Sequence, residues 1–244
     1  MEKERTQLTS TKHPLIARCL SLRLDKEVRE KERAVFIAGK MLVHELSRKI
    51  PLLTLISLEK SNLKAQESYL VTPEILKKIT GLQEPDGWAA IVPLPPPQDV
   101  LAKQRVLILD RLADPGNVGN LIRTALALGW EGIIGTPGTV DFFNDKALRA
   151  ARGATFHLPY QILPRDILVA QLTTRDAFVA DTKGTTLDNM KSHRSITLIL
   201  SSEAHGPQGW DFLPKVSIPM NGTVESLNVA AAGAILLYAL RAHT

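Results

Sequence analysis

Three short polar segments of this 244-residue chain carry side chains suited to holding a polar or anionic ligand: Asp114-Pro115-Gly116-Asn117-Val118-Gly119-Asn120, Ser201-Ser202-Glu203-Ala204-His205-Gly206 and Ser226-Leu227-Asn228. The third is the most telling. The run from Ile218 to Leu240 passes from strand to polar loop to helix, so Ser226 and Asn228 stand where unpaired backbone N–H groups point outward. Alone, this loop reads as a capped helix, with Ser226 as cap and Asn228 in the first turn. Two further loops of the same build turn the reading toward binding and catalysis.

Each loop follows an apolar strand, and open α/β sheets bind ligands at the carboxyl ends of their strands. Strands are expected at Val106–Leu109, Gly132–Ile134, Phe178–Ala180, Ile196–Leu200 and Val216–Ile218. Helix-length segments separate most of them, which predicts crossover connections and a mostly parallel sheet. In the helix after Asn117, residues Val118, Leu121, Ile122, Ala125 and Leu128 form a buried stripe. Arg123 falls opposite that stripe, and Gly119, about one turn below, is expected to leave room for a ligand beside the guanidinium. His205 reads as an ordinary polar loop residue.

Upstream, Pro93-Leu94-Pro95-Pro96-Pro97 marks a boundary, because consecutive prolines favour a stiff extended linker. The expected organisation is an α/β domain over 10–92, a proline-rich linker over 93–103 and a second domain over 104–244. In the first, Pro14 stands near a helix start, Ala34–Ile37 and Leu53–Ile56 read as strands, and Leu42, Val43 and Leu46 lie on a helix. Thr72, Pro73 and Glu74 supply a helix start and Gly81 a stop. The dense mixed-charge run Arg23–Arg33 reads as a solvated face, with Arg23, Lys26, Arg29, Lys31 and Arg33 as candidate phosphate contacts.

Composition narrows the class. At 44% hydrophobic residues the chain can bury a normal core. Its apolar runs are shorter than the ~18 residues of a membrane span, and its N-terminus is charged, so a cytoplasmic protein without a membrane partner is expected. A single cysteine, Cys19, excludes an internal disulfide and a cysteine-based zinc site, and no metal is expected. The net charge of +5 is compatible with a polyanionic partner. The dinucleotide fingerprint, the P-loop, the nucleophile elbow and the zinc-protease helix are absent.

The segment Leu107–Gly129 (LILDRLADPGNVGNLIRTALALG) resembles the first motif of the SpoU, or TrmH-type, RNA ribose methyltransferases of the SPOUT superfamily. LILSSEAHGP, from Leu198, resembles the second motif, and IPMNGTVESLNVAAAGAILLY, from Ile218, the third. FFNDKALRAARGATFHLPY is similar to the stretch between the first two motifs. The N-terminal domain is more weakly similar to the ribosomal-protein-like RNA-binding domain of some members. The resemblance implies an α/β fold whose C-terminal, mostly parallel sheet carries a deep trefoil knot. It further implies S-adenosylmethionine as cofactor, a homodimer packed near the knot, and RNA as substrate.

Carried over position by position, the resemblance assigns Asn117, Arg123, Glu203, Ser226 and Asn228 to catalysis. Leu198, Ser201, Gly206, Ile218, Met220 and Leu227 would surround the donor. Family mechanisms make the arginine the base. A guanidinium pKa above ~12 argues instead for bidentate binding of the adjacent phosphate. Glu203 is then either an orienting carboxylate or a structural partner of loop N–H groups. Two positions depart from the pattern: Ser201 replaces a glycine beside the donor, and Ala151 a serine before Gly153-Ala154.

The function expected is methyl transfer to a ribose 2′-OH of structured RNA, rRNA ahead of tRNA. A non-catalytic RNA-binding or assembly protein of the same fold is the alternative from another class.

Overall fold

The computed structural model describes residues 6–190, 193–202, 206–223 and 225–242. The chain forms two compact units, one running to Pro96 and taking in Phe143–Asp145, the other comprising Pro97–Phe142 and Lys146 onward.

The first unit contains β1 (Thr6–Leu8), α1 (Pro14–Leu24), α2 (Lys26–Glu32), β2 (Ala34–Ala38), α3 (Lys40–Leu46), β3 (Leu52–Ser57), β4 (Ala65–Val71), α4 (Pro73–Thr80) and β5 (Trp88–Pro93). Its sheet has the order β1-β4-β3-β5-β2. The strands β1, β4 and β3 run parallel, and β5 lies antiparallel to both β3 and β2. The core joins Ile16, Cys19 and Leu22 of α1 to Ile75, Leu76 and Ile79 of α4 over Phe36, Ile56 and Ile91 of the sheet. Local signals set α4: the Thr72 hydroxyl accepts from the Ile75 N–H (3.3 Å), and Gly81 ends the helix in the left-handed region at φ 67°.

The charged run behaves differently from a uniformly solvated face. Arg29 is buried, and its Nη1 donates to the carbonyls of Leu22 (2.7 Å) and Arg23 (3.1 Å) at the end of α1. Arg23 donates to the Ile79 carbonyl near the end of α4 (2.9 Å). Both guanidiniums satisfy helix-terminal carbonyls that lack intrahelical partners. Lys26, Lys31 and Arg33 remain exposed.

The second unit contains β6 (Arg105–Asp110), α5 (Pro115–Ala127), β7 (Gly132–Gly135), α6 (Asp145–Ala151, all but its first residue), β8 (Tyr160–Ile162), α7 (Arg165–Leu172), β9 (Ala177–Thr186), β10 (Ile196–Ser201), β11 (Lys215–Ser217) and α8 (Val229–Ala239). Six strands pair in the order β11-β9-β10-β6-β7-β8, every neighbour parallel. All six residues of β6 are buried, as expected of a central strand covered on both faces. One core packs Val106, Ile108 and Ile199 with Leu168 and Leu172 of α7 and with Trp210. The helix α8 packs against α5 and β10. Gly233 permits that approach, since a Cβ there would stand 2.7 Å from the Leu200 Cδ1. Among the described residues, no helix is long and apolar enough to cross a membrane.

Candidate active site

A cavity of about 290 Å³ lies at the carboxyl end of β10 and beside the middle of β9. Leu200, Ser201 and Ser202 form one wall, Ala180, Asp181 and Thr182 a second, and Val216, Ile218 and Met220 a third. Gly206, Pro207, Ser226 and Leu227 line it further, and α8 contributes Val229, Ala232 and Leu236. Mostly apolar walls with a few polar groups suit a small organic ligand whose polar atoms are few and oriented.

Five of the six residues expected around a donor line this cavity: Ser201, Gly206, Ile218, Met220 and Leu227. Leu198 does not. It is fully buried within β10, opposite Leu107 and Phe178, and Leu200, two residues nearer the strand end, takes the place at the cavity. The serine at position 201 is accommodated without strain. Its φ lies outside the left-handed region, and its hydroxyl donates to the Asp110 carboxylate (3.4 Å).

Asp181 was not among the expected residues. Its Oδ2 lies 2.7 Å from the Lys215 Nζ, and its Oδ1 accepts from the Lys183 N–H (3.1 Å). The hydrogen bond from Lys215 holds the Asp181 carboxyl below the usual carboxylate range, against an opposing push from partial burial. The same bond raises the Lys215 ammonium.

Two helix starts carry the polar pair. Asp114 caps α5, its Oδ1 accepting from the Asn117 N–H (2.7 Å). Asn228 caps α8, its Oδ1 accepting from the N–H groups of Ala230 (2.9 Å) and Ala231 (3.4 Å). The cap is therefore Asn228 and not Ser226, which lies two residues before it and lines the cavity instead. The Asn228 Nδ2 donates to the Asn117 Oδ1 (3.2 Å), joining two residues expected to act together.

Arg123 is exposed on α5, roughly 9 Å along the helix axis from Asn117. It makes no hydrogen bond or ion pair among the described residues. The space expected beside it at Gly119 is filled by α6. A Cβ on Gly119 would meet the Ala147 carbonyl, come within 2.6 Å of the Ala150 Cβ and stand 3.0 Å from the Ala151 N. Gly119 thus serves helix packing, and buried Ala151 belongs to the same contact. Glu203 and His205 lie outside the described residues.

Against known proteins, the model of the SpoU rRNA Methylase family matches residues 104–238. The chain belongs to this family. A relative matching almost end to end is the 23S rRNA (guanosine(2553)-2′-O)-methyltransferase RlmP of Bacillus subtilis, 31% identical over 96% of this chain and 99% of its own. The 23S rRNA (adenosine(1067)-2′-O)-methyltransferase of Streptomyces laurentii is 35% identical over 54% of this chain and 52% of its own. The AdoMet-bound rRNA methyltransferase of Sinorhizobium meliloti shares the fold at a TM-score of 0.84, with 22% identity over 96% of this chain and 97% of that one. The Bacillus and Sinorhizobium proteins thus align with both units of this chain.

Proposed function

We propose that this SpoU-family protein transfers a methyl group from S-adenosylmethionine to a ribose 2′-OH of ribosomal RNA. The observation that carries the proposal is the continuity of two features along three residues. Ser226 and Leu227 line the cavity, and the next residue, Asn228, bonds Asn117. A donor cavity and one of two ribose-orienting amides thereby share one loop, the second amide coming from the first turn of α5. The named activities of the Bacillus and Streptomyces relatives, both 23S rRNA 2′-O-methyltransferases, support the substrate class.

When bound, S-adenosylmethionine supplies an electrophilic methyl on a sulfonium. The apolar walls Leu200, Val216, Ile218 and Leu227 exclude water around it, and Ser201, Ser202 and Ser226 offer directed polar contacts. A ribose hydroxyl is a weak nucleophile, so alignment and proton removal decide the rate. Asn117 and Asn228 hold the ribose in register. Arg123, permanently charged, binds the adjacent phosphate and leaves the proton to phosphate or water. Glu203 is either an orienting carboxylate or a partner of loop N–H groups.

The N-terminal residues 10–92 bind the RNA substrate, with 93–103 as linker to the methyltransferase domain. The methyltransferase domain carries the superfamily's trefoil knot, and α8 provides the face on which two copies pair. Its buried side carries Gly233, Leu236 and Leu237, while Ile235 and Tyr238 remain exposed.

Incubation with labelled donor and undermodified rRNA or tRNA, followed by mapping of 2′-O-methyl groups, tests the proposal. Label in rRNA is the expected result. Label in tRNA alone would move the substrate, and no label in any RNA despite donor binding would overturn the enzyme reading. Arg123→Ala should abolish transfer and spare donor binding.

A further inference from the structure

Asp110, the last residue of β6, is fully buried, and its carboxylate is the meeting point of five side chains. Its Oδ1 accepts from the Thr136 hydroxyl (2.8 Å). Its Oδ2 accepts from the Trp210 indole N–H (3.0 Å) and the Ser201 hydroxyl (3.4 Å). The same oxygen lies 3.3 Å from the Arg165 Nη2 and 3.6 Å from the Arg111 Nη2. A buried carboxylate is tolerated only when paired and hydrogen-bonded, and this one is both.

The placement of these partners along the chain is informative. Ser202, where the chain leaves β10, donates its N–H to the Asp110 carbonyl (3.1 Å). Trp210, fully buried, returns the chain to the same residue through its indole. Arg165 reinforces that second tie: it stacks on the Trp210 ring, 4.8 Å from its centroid, and donates to the Gln208 carbonyl. Between the two ties stand Gly206 and Pro207, which line the cavity together with Ser201 and Ser202. One residue therefore fastens both ends of a cavity wall.

We infer that Asp110 is a positioning residue for donor binding, acting through Trp210 and Ser201 to fix the wall formed by Ser201, Ser202, Gly206 and Pro207. The inference rests on the donor-site reading of the cavity. Asp110 lines no part of the cavity itself, so its effect falls on donor affinity and leaves RNA affinity alone. Trp210→Phe removes the indole N–H and preserves the ring that fills the core and stacks on Arg165. Asp110→Asn removes the charge at nearly constant volume.

The test measures S-adenosylmethionine affinity by calorimetry, and donor KM, RNA KM and kcat by methyl transfer. Trp210→Phe should weaken donor binding by at least about threefold, since only the part of the tie's effect that differs between free and donor-bound protein reaches affinity, with RNA KM unchanged and kcat at saturating donor within about threefold. Asp110→Asn should weaken it at least as much, and the double variant no more than Asp110→Asn alone, because both act on one tie. Donor affinities within twofold of the parent in folded Trp210→Phe would overturn the inference. If that variant fails to fold, unchanged affinity in Asp110→Asn would overturn it instead. A parent protein that binds no donor would overturn the functional reading as well.

Discussion

The side-chain amide of Asn228 donates to the Asn117 Oδ1 across 3.2 Å, and so ties the cap of α8 to the first turn of α5. Its own Oδ1 is taken up by the cap, which fixes the amide orientation by the hydrogen-bond network. The two duties can be separated. Asn228→Ser keeps a capping oxygen and loses the bridge, so transfer should fall at least about tenfold with thermal stability nearly unchanged. Asn228→Ala loses both, adding a destabilisation of ~1 kcal/mol. Equal transfer by Asn228→Ser and the parent would remove the bridge from the catalytic arrangement.

Gly119 and Arg123 share α5 and should respond oppositely to substitution. Gly119→Ala forces a methyl into the backbone of α6 and should destabilise the protein by about 1–3 kcal/mol. Arg123→Ala, on an exposed helix face, should leave the melting temperature within about 2 °C. A Gly119→Ala protein that melts like the parent would show that α6 yields at no cost.

Burial pushes the Cys19 thiol up to about 12, the nearby Arg18 charge opposing only in part. The reactive thiolate is therefore scarce at neutral pH and also enclosed. Iodoacetamide should label Cys19 only as fast as the first unit opens, and mass spectrometry of native protein at pH 8 should show no adduct within minutes. Prompt stoichiometric labelling would contradict this packing. Cys19→Ser places a hydroxyl among Ile16, Leu22 and Ile79 and should cost about 1–3 kcal/mol.

Local chemistry was legible in the sequence wherever a few adjacent residues decide the outcome. Thr72, Pro73 and Gly81 start and stop α4 as expected. The segment expected as a loop over 114–120 is shorter than its polar residues suggest: only Asp114 precedes α5, which begins at Pro115 because the Asp114 carboxylate and Pro115 supply a cap and a preset first turn. The sequence was silent where the outcome depends on what arrives from elsewhere. Ser226 and Asn228 are both capping residues, and only the entry path of the chain selects Asn228. The glycine spacing at 119 reads equally as a ligand gap or a helix crossing until α6 is placed. The strand β4 (AQESYLV) is too polar to announce itself, and β8 is only three residues long. Asp110 and Trp210, one hundred residues apart, share no local pattern at all.

The exposed side of α8 should govern assembly. Ile235 and Tyr238 stand on a helix whose other residues around them are apolar, and Arg241 lies over the Tyr238 ring, 3.6 Å from its centroid. A charge placed in an apolar interface is costly when the partner surface desolvates it. Tyr238→Glu should convert a dimer to a monomer in analytical ultracentrifugation, with the melting temperature of each monomer changed little. A parent protein that sediments as a monomer at tens of micromolar would refute the pairing.

The Asp181–Lys215 pair makes the cavity wall sensitive to acid. The carboxyl of Asp181 is held below its ordinary 3.8 chiefly by the hydrogen bond from Lys215. A group depressed in the folded state contributes stability that is complete above its unfolded value and is lost as pH falls through the folded one. Lys215 is raised above its ordinary 10.5 by the same partner, so its contribution is complete below that value and is lost as pH rises through the raised one. Between these limits the pair is intact, and donor affinity should be flat with pH as far as this pair controls it. Asp181→Asn removes the acid-side dependence. The gap in melting temperature between parent and variant should be constant from pH 7 down to about pH 4, then close as the parent's own carboxyl takes up its proton. A gap that instead widened on acidification would mean that Asp181 is stabilised in its protonated form, and that the bond from Lys215 is not what holds this wall.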